Sequence, residues 1–462
     1  MRKNVVLSIA GSDPSGGAGI QADLKSFSYL GLHGATVVTC VTAQNTQKVT
    51  HIHKIPVDII EQQLDRIFED FTVTCVKTGM LYDAEIVACV TRKLQQEKIR
   101  PVVDPVMVAT SGDNLAQTDF ADTLKKHLLP ISCLLTANIP EAEKLTHTKI
   151  RSIEDMRTSC QTLEQFGPDM VLIKGGHLQS HNATDVFFDG TTTYEYSLPM
   201  IHNTKAHGSG CTLSALITGL LAMNKQPADA VRHAKWITWN MINQGYHPGK
   251  GSDVLNHHLQ PMHTQPPVTN EEITVWITLK KALDDLLLLI PVDLIPEVGI
   301  NFVYAIPHAQ HHHEVCGLSG RIIKRNTTPW CCGELCFGGS KHVAAIVLAA
   351  SACDPSVRSA LNIKYSPLLI DTCRNHGFTV GCFDRKEEPA DTPSTMEWGT
   401  RLVVQQLGQV PDIIYDKGAV GKEPMIRILG KDPSDVLVKL QKIITNKGKT
   451  QEKIRNIYKQ RH

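Results

Sequence analysis

The sequence has no surplus of charge of either sign: 47 Lys and Arg stand against 46 Asp and Glu in 462 residues, a formal net of +1. Without a basic excess there is no broad electrostatic footprint for nucleic acid or an anionic membrane. Long apolar runs are missing too, since stretches such as Leu286–Ile290 fall far short of the roughly 20 residues a membrane span requires. The opening Met1–Ala10 is charged and then apolar, but the apolar part is too short for a signal peptide. The turn after it is no small-residue cleavage site. Cysteine is too sparse for a disulfide scaffold, at 13 residues with irregular spacing. That usage fits thiols in a reducing compartment, so a cytoplasmic location is expected. What remains is a chain sized for two or three domains at roughly 150 residues each. Each could bury a core without staples.

Short β-branched runs alternate with helix-period segments through the first 260 residues. Val5–Ala10, Ala35–Thr42, Val73–Lys77, Val102–Asp104 and Val171–Lys174 read as strands, and Ile20–Tyr29 and Asp58–Phe68 as helices. This alternation implies βαβ units and a mostly parallel sheet with helices on both faces. Functional residues then belong just beyond the carboxyl ends of strands. His257–Pro267 reads as a linker. A helix should follow from a capping box at Thr269 and Glu272, with Ile273, Trp276, Ile277, Lys280, Leu283, Leu287 and Ile290 as its stripe and Pro291 as its stop. A second α/β pattern runs from Val292 to about Leu440, with helices at Val343–Ala350 and Pro433–Ile444. The expected boundaries are a first domain at 1–262, a linker and connecting helix at 263–290, a second, smaller α/β domain at 291–445, and a basic tail at 446–462. The tail is read as a solvated terminus rather than a nucleic-acid arm.

Two glycine segments carry the chemistry of the first half. Gly11-Ser12-Asp13-Pro14-Ser15-Gly16-Gly17-Ala18-Gly19 follows a strand and leads into a helix. It has neither the P-loop ending nor the dinucleotide fingerprint, and an ordinary tight turn would look much the same. Asn203-Thr204-Lys205-Ala206-His207-Gly208-Ser209-Gly210-Cys211-Thr212 runs straight into a helix. Free amides at Gly208, Ser209 and Gly210 make an anion hole for a transferring phosphoryl group. The helix dipole should favour a Cys211 thiolate, although a buried structural cysteine would also fit. Asp104 and Glu141 could hold Mg²⁺ directly or through water. Lys174 adds a cation beside flexible glycines. Together these suggest phosphoryl transfer.

Ser12–Lys25, Ala43-Gln44-Asn45-Thr46, Lys77-Thr78-Gly79-Met80-Leu81, Asp104-Pro105-Val106-Met107, Lys174-Gly175-Gly176-His177 and His207–Cys211 resemble, in the same order, the hydroxymethylpyrimidine and phosphomethylpyrimidine kinases of thiamine biosynthesis. The resemblance covers about 1–260 and implies a ribokinase-like doubly wound fold. It also implies two sequential phosphorylations with ATP as substrate. Gln44 is implied to recognise the aminopyrimidine, with Gly11, Asp23 and Met80 nearby, and Cys211 to stand where many ribokinase-like sugar kinases carry an aspartate base. Ala206 departs from the usual Thr.

The second half carries Phe337-Gly338-Gly339-Ser340-Lys341-His342 ahead of a helix, the loop Asp416–Pro424 with Lys417 and Lys422, and the guanidinium forks Arg321 and Arg325. With no Walker lysine, these cations suit an existing phosphate or pyrophosphate. Cys331-Cys332-Gly333-Glu334-Leu335-Cys336 and His311–His313 lack the paired spacing of structural zinc. Pro296–Asn301, Phe337–His342, Asn362–Ser366, Phe383-Asp384-Arg385, Ser394–Gly399 and Pro411–Asp416 resemble the archaeal-type thiamine-phosphate synthase domain, with Ala419 replacing a frequent glycine. That resemblance implies condensation of the pyrimidine diphosphate with thiazole phosphate. Arg321 and His342 are the expected catalytic pair, with Lys341 and Lys422 as phosphate binders. The alternatives are a thiamine-phosphate-binding regulatory module in the second half, and a kinase acting on pyridoxal-like alcohols. The expected partners are small molecules rather than nucleic acid or membrane, with a homo-oligomer left open.

Overall fold

The protein is described by a computed structural model covering residues 4–107, 120–178, 180–202, 206–259, 264–389, 391–392 and 394–445. The basic tail 446–462 and the expected Asn203-Thr204-Lys205 segment lie outside the described residues. The chain divides into two compact units, Met1–Met262 and His263–His462.

The first unit runs β1 (Val5–Ser12), α1 (Gly19–Tyr29), β2 (His33–Gln44), β3 (Val49–Lys54), α2 (Val57–Asp70), β4 (Val73–Thr78), α3 (Ala84–Gln96), β5 (Val102–Val103), α4 (Phe120–Thr123), β6 (Leu134–Asn138), α5 (Ile139–Thr146), α6 (Ile153–Glu164), β7 (Met170–Lys174), β8 (Asn182–Phe188), β9 (Thr193–Pro199), α7 (Ser209–Ala222) and α8 (Pro227–Asn243). Its sheet has the order β3-β2-β1-β4-β5-β6-β7-β8-β9. Strands β2, β1, β4, β5, β6 and β7 run parallel, and β3, β8 and β9 join antiparallel.

The central strands read as unbroken apolar runs because both faces are covered. Val103, Leu135 and Val171 enter one core with Leu64 of α2, Ile86 of α3 and Met156 of α6. Their neighbours Val102, Leu134 and Leu172 enter another with Leu216 of α7 and Ile237 of α8. The strand order turns around at β1, since β2 and β4 flank it. The crevice between the carboxyl ends of β1 and β4 is therefore the place such a sheet offers a ligand. His257, expected in a linker, belongs instead to the first unit, where its Nε2 lies 3.0 Å from Thr212 Oγ1.

The second unit runs α9 (Asn270–Leu289), β10 (Phe302–Ala305), β11 (Val315–Leu318), β12 (Ile322–Arg325), β13 (Thr328–Cys331), β14 (Leu335–Phe337), α10 (Lys341–Ser351), β15 (Ser359–Lys364), α11 (Pro367–Asn375), β16 (Val380–Cys382), α12 (Thr395–Leu407), β17 (Ile413–Asp416), β18 (Met425–Gly430) and α13 (Pro433–Thr445). A seven-stranded sheet, β14-β11-β10-β15-β18-β17-β16, has a separate hairpin of β12 and β13 beside it. Only β16 and β17 pair in parallel among its neighbours. Val343 and Val347 of α10 and Val403 of α12 share a core with Val303 and Leu429 of the sheet. On the other side α9 and α13 pack together and against the sheet.

The Thr269–Glu272 capping box opens α9 as expected. The helix is part of the second unit's core, with Trp276 Nε1 donating to the Leu335 carbonyl at 3.0 Å. Its buried face is Ile273, Val275, Trp276, Leu279, Ala282, Leu283 and Leu286, so Ile277, Lys280 and Leu287 drop out of the expected stripe.

Candidate active sites

The first unit holds a cavity of about 600 Å³ at the carboxyl ends of its parallel strands, within the range of small-molecule sites. Gly11, Gln44, Met80, Asp104, Glu141, Lys174 and Gly208–Cys211 all line it, contributed by six strand ends and the start of α7. Gly208 makes the turn into α7 at φ +83°, and a Cβ there would strike the carbonyl oxygen of Gly17. Only glycine gives that backbone. A Cβ on Gly210 would lie 3.3 Å from Lys174 Nζ and 3.9 Å from Asp104 Oδ2. The helix-start amides, the lysine and the carboxylate therefore share one corner.

Asp104 and Glu141 are less available to a cation than their spacing implied. Lys174 Nζ lies between them, 2.9 Å from Asp104 Oδ1 and 3.9 Å from Glu141 Oε2. Ser214 Oγ donates to Asp104 Oδ2 at 3.2 Å. Glu141 also caps its own helix: its Oε2 accepts the Asn138 amide and Asn138 Oδ1 accepts the Glu141 amide, both at 2.8 Å. Among the described residues no three His, Cys, Asp or Glu side chains form a metal cage. The donors fit a Mg²⁺ carried largely by water and phosphate oxygens, not a protein-enclosed ion. Burial and the Asp104 charge push the Glu141 carboxyl up to about 7, despite Lys174. Burial also opposes ionisation of Asp104, but Lys174 and Lys77 hold it below the usual range.

Two expectations are corrected. Asp23 does not line the cavity. It is fully buried beneath it, taking Lys77 Nζ at 2.8 Å on both oxygens and Ser8 Oγ at 2.6 Å. Burial alone would lower the Lys77 pKa, but Asp23 raises it. Lys77 is thus a fixed cation in the cavity wall. Nor does α7 deliver a ready thiolate: burial pushes the Cys211 thiol up to about 11, and the pull of Lys77 does not offset it. Burial, with the charges of Asp23 and Asp104, outweighs Lys77 and the Gly19 backbone bond, so Cys211 rests as a thiol.

Several wall residues were not singled out from the sequence. Lys77 lies next to the end of β4 as Lys174 lies at the end of β7, and that placement was its available signal. Asp13 Oδ2 lies 2.9 Å from His207 Nε2, joining the two glycine segments across 194 positions. No local pattern announces such a pair.

In the second unit, Arg321 is half-buried at the entrance to β12, and its Nη1 donates to the Gly320 carbonyl at 3.2 Å. Lys341 and His342 are exposed on the first turn of α10, and Lys422 is exposed in the loop after β17. Asn301 organises this region. Its Nδ2 donates to the carbonyls of Leu318 (2.9 Å) and Gly320 (3.2 Å), and its Oδ1 accepts the Leu318 amide at 3.2 Å. A Cβ on Gly299 would lie 2.8 Å from Arg321 Cβ, and Glu423 Oε2 accepts the Val298 amide at 3.3 Å. The 296–299 segment therefore adjoins both Arg321 and the Lys422 loop. Asp416 anchors that loop by accepting the Gly418 amide at 2.8 Å, while pairing with Arg385 and Arg427. Asn301 and the Asp416 triad were not expected to do this work.

A doubly wound sheet, an amide-lined helix start and paired lysines and carboxylates define a phosphotransferase of the ribokinase-like class, joined to a second α/β unit. The sequence model of phosphomethylpyrimidine kinase matches residues 13–256, and that of thiamine-phosphate synthase ThiN matches 278–442. The chain is 32% identical over 440 residues to the bifunctional thiamine biosynthesis protein ThiDN of Methanocaldococcus jannaschii, spanning 95% of this chain and 98% of that protein. It is 45% identical over 232 residues to the hydroxymethylpyrimidine/phosphomethylpyrimidine kinase of Rhizobium meliloti, covering 50% of this chain and 87% of that one. The pyridoxal kinase of Staphylococcus aureus solved with AMP-PCP and pyridoxal is also similar: TM-score 0.52, 32% identity, 56% of this chain and 94% of that one. The chain belongs to the family of bifunctional thiamine biosynthesis proteins that join a phosphomethylpyrimidine kinase to a ThiN thiamine-phosphate synthase domain.

Proposed function

We propose that the first unit phosphorylates hydroxymethylpyrimidine and then its monophosphate with ATP, and that the second condenses the diphosphate with thiazole phosphate. The products are thiamine phosphate and pyrophosphate. One observation carries the kinase assignment: the Gly208–Cys211 helix start opens into the cavity against Lys174 and Asp104. That corner supplies amides and a cation where negative charge develops on a transferring phosphoryl group.

In this reading Gln44 meets the aminopyrimidine edge, with Gly11 and Met80 beside it. Gly208, Ser209, Gly210 and Lys174 bind the ATP phosphates. Asp104 and Glu141 hold Mg²⁺, which supplies charge neutralisation when bound. The thiolate form of Cys211 takes the hydroxyl proton of the pyrimidine, and the buried Lys77–Asp23 pair keeps a fixed cation near the sulfur. In the second unit, Arg321 and His342 meet the departing pyrophosphate, and Lys341 and Lys422 hold phosphate oxygens. The cysteine usage supports a cytoplasmic enzyme. Among the described residues no helix is long and apolar enough to cross a membrane.

The test supplies the intact protein with hydroxymethylpyrimidine and Mg-ATP, with and without thiazole phosphate. Pyrimidine diphosphate without the thiazole, and thiamine phosphate with it, are expected. Diphosphate in both reactions, with thiamine phosphate bound but never formed, would make the second unit a regulatory module.

A further inference from the structure

The side-chain amide of Gln44 is gripped at both ends, with Thr42 Oγ1 at 3.1 Å on one side and His207 Nε2 at 3.2 Å on the other. The oxygen and nitrogen of such an amide are told apart by the hydrogen-bonding roles of their partners. Here a third group fixes each role. Thr42 Oγ1 also lies 3.1 Å from the Ser12 carbonyl oxygen, which can only accept. The single hydroxyl proton goes to that carbonyl, and Thr42 turns a lone pair to Gln44.

At the other end, His207 Nε2 lies 2.9 Å from Asp13 Oδ2. Burial pushes the Asp13 carboxyl up, but bonds from His207, from Ser15 and from the amides of Ser15 and Ala18 bring it down to about 2. Asp13 is therefore an anion at neutral pH. A ring nitrogen facing it carries a proton whether the ring is neutral or charged, because its lone pair would otherwise meet a negative oxygen. That proton makes Nε2 a donor to Gln44 as well.

With the amide nitrogen towards His207, two donors would oppose each other there, and two acceptors would compete for one proton at Thr42. Turning the amide over removes the opposed donors and the surplus acceptor at Thr42, and leaves the one Nε2 proton shared between the Asp13 carboxylate at 2.9 Å and the Gln44 amide at 3.2 Å. The carbonyl oxygen then faces His207 and the NH₂ faces Thr42. All four side chains line the cavity, so the polarity of this amide is a polarity offered to the ligand.

We propose that His207, Asp13 and Thr42 are positioning residues that lock the Gln44 amide. The locked amide selects a ring edge with a donor at the His207 end and an acceptor at the Thr42 end. The inference rests on the reading that Gln44 meets the pyrimidine. An aminopyrimidine offers that order, an exocyclic amine beside a bare ring nitrogen. Its oxo analogue offers the reverse, a carbonyl beside a ring N–H, and is excluded although its size is the same.

The experiment measures kcat and KM for hydroxymethylpyrimidine and for its oxo analogue, with the intact protein and variants checked for folding by thermal unfolding. The wild type should prefer the amine. His207→Leu and Thr42→Val each free the amide to turn, and the preference should fall about tenfold, through a higher KM for the amine and a lower one for the oxo compound. His207→Gln keeps an N–H donor and should restore the preference, which a merely structural role would not. Gln44→Leu should abolish discrimination. If it does while both positioning variants keep the wild-type preference, the locking is wrong and the Gln44 reading stands. If Gln44→Leu changes nothing, or the wild type shows no preference, both fall.

Discussion

Replacing Cys211 tests how the kinase handles a proton. Its thiol is held up at about 11 by burial, so at pH 7.5 roughly one molecule in three thousand carries the thiolate. If the thiolate is the base, kcat/KM for hydroxymethylpyrimidine rises about tenfold per pH unit until the thiol titrates. The informative window is pH 8 to 10, above the titration of the ATP phosphates. ADP release at saturating Mg-ATP provides the assay. Cys211→Ala should lower kcat by about 10²–10⁴-fold and flatten the profile. Cys211→Asp should give a base that ionises at much lower pH and move the rise out of the alkaline window. The reasoning fails if wild-type kcat/KM is flat from pH 8 to 10, or if Cys211→Ala keeps near wild-type kcat. Cys211 would then be a packing residue in the anion hole.

Glu141→Gln should raise the Mg²⁺ concentration for half-maximal kinase activity, and an unchanged titration would leave Glu141 as the cap of α5 alone. Arg321→Ala and His342→Ala should each lower thiamine phosphate formation by about 10²–10³-fold, measured with supplied pyrimidine diphosphate, and leave ADP release by the kinase unaltered. Asp13→Asn should cost the first unit about 2 kcal/mol at pH 7, from a carboxyl pKa lowered from 3.8 to about 2. A depressed pKa stabilises above the unfolded value, so the calorimetric gap between wild type and variant should shrink as pH falls from 4 to 2. A constant gap would remove ionisation as the cause.

The parallel sheet was legible because strands covered on both faces must be apolar throughout, and Val102–Val103 and Val171–Ile173 are. The direction of the second sheet was not. Its strands are as short as Leu335–Phe337, and antiparallel pairing depends on distant partners. The stripe of α9 was misjudged because that helix buries a wide arc against both α13 and the sheet. In the site, the glycine segments and strand-end carboxylates were readable as local patterns. Asp23 was misplaced because its motif does not say which way the side chain points, and it points inward to Lys77. The Cys211 expectation weighed the helix field without the burial that pushes the thiol up. The Asp13–His207 contact unites residues that only the fold brings together.

The central claim is that one chain both makes the pyrimidine diphosphate and consumes it. The direct measurement follows carbon-labelled hydroxymethylpyrimidine through a single reaction of the intact protein with Mg-ATP and thiazole phosphate, resolving each pyrimidine species over time. The account predicts that label passes through the monophosphate and the diphosphate into thiamine phosphate, with one pyrophosphate released for each thiamine phosphate formed. Label that halts at the diphosphate, with the protein folded and thiazole phosphate in excess, would contradict it.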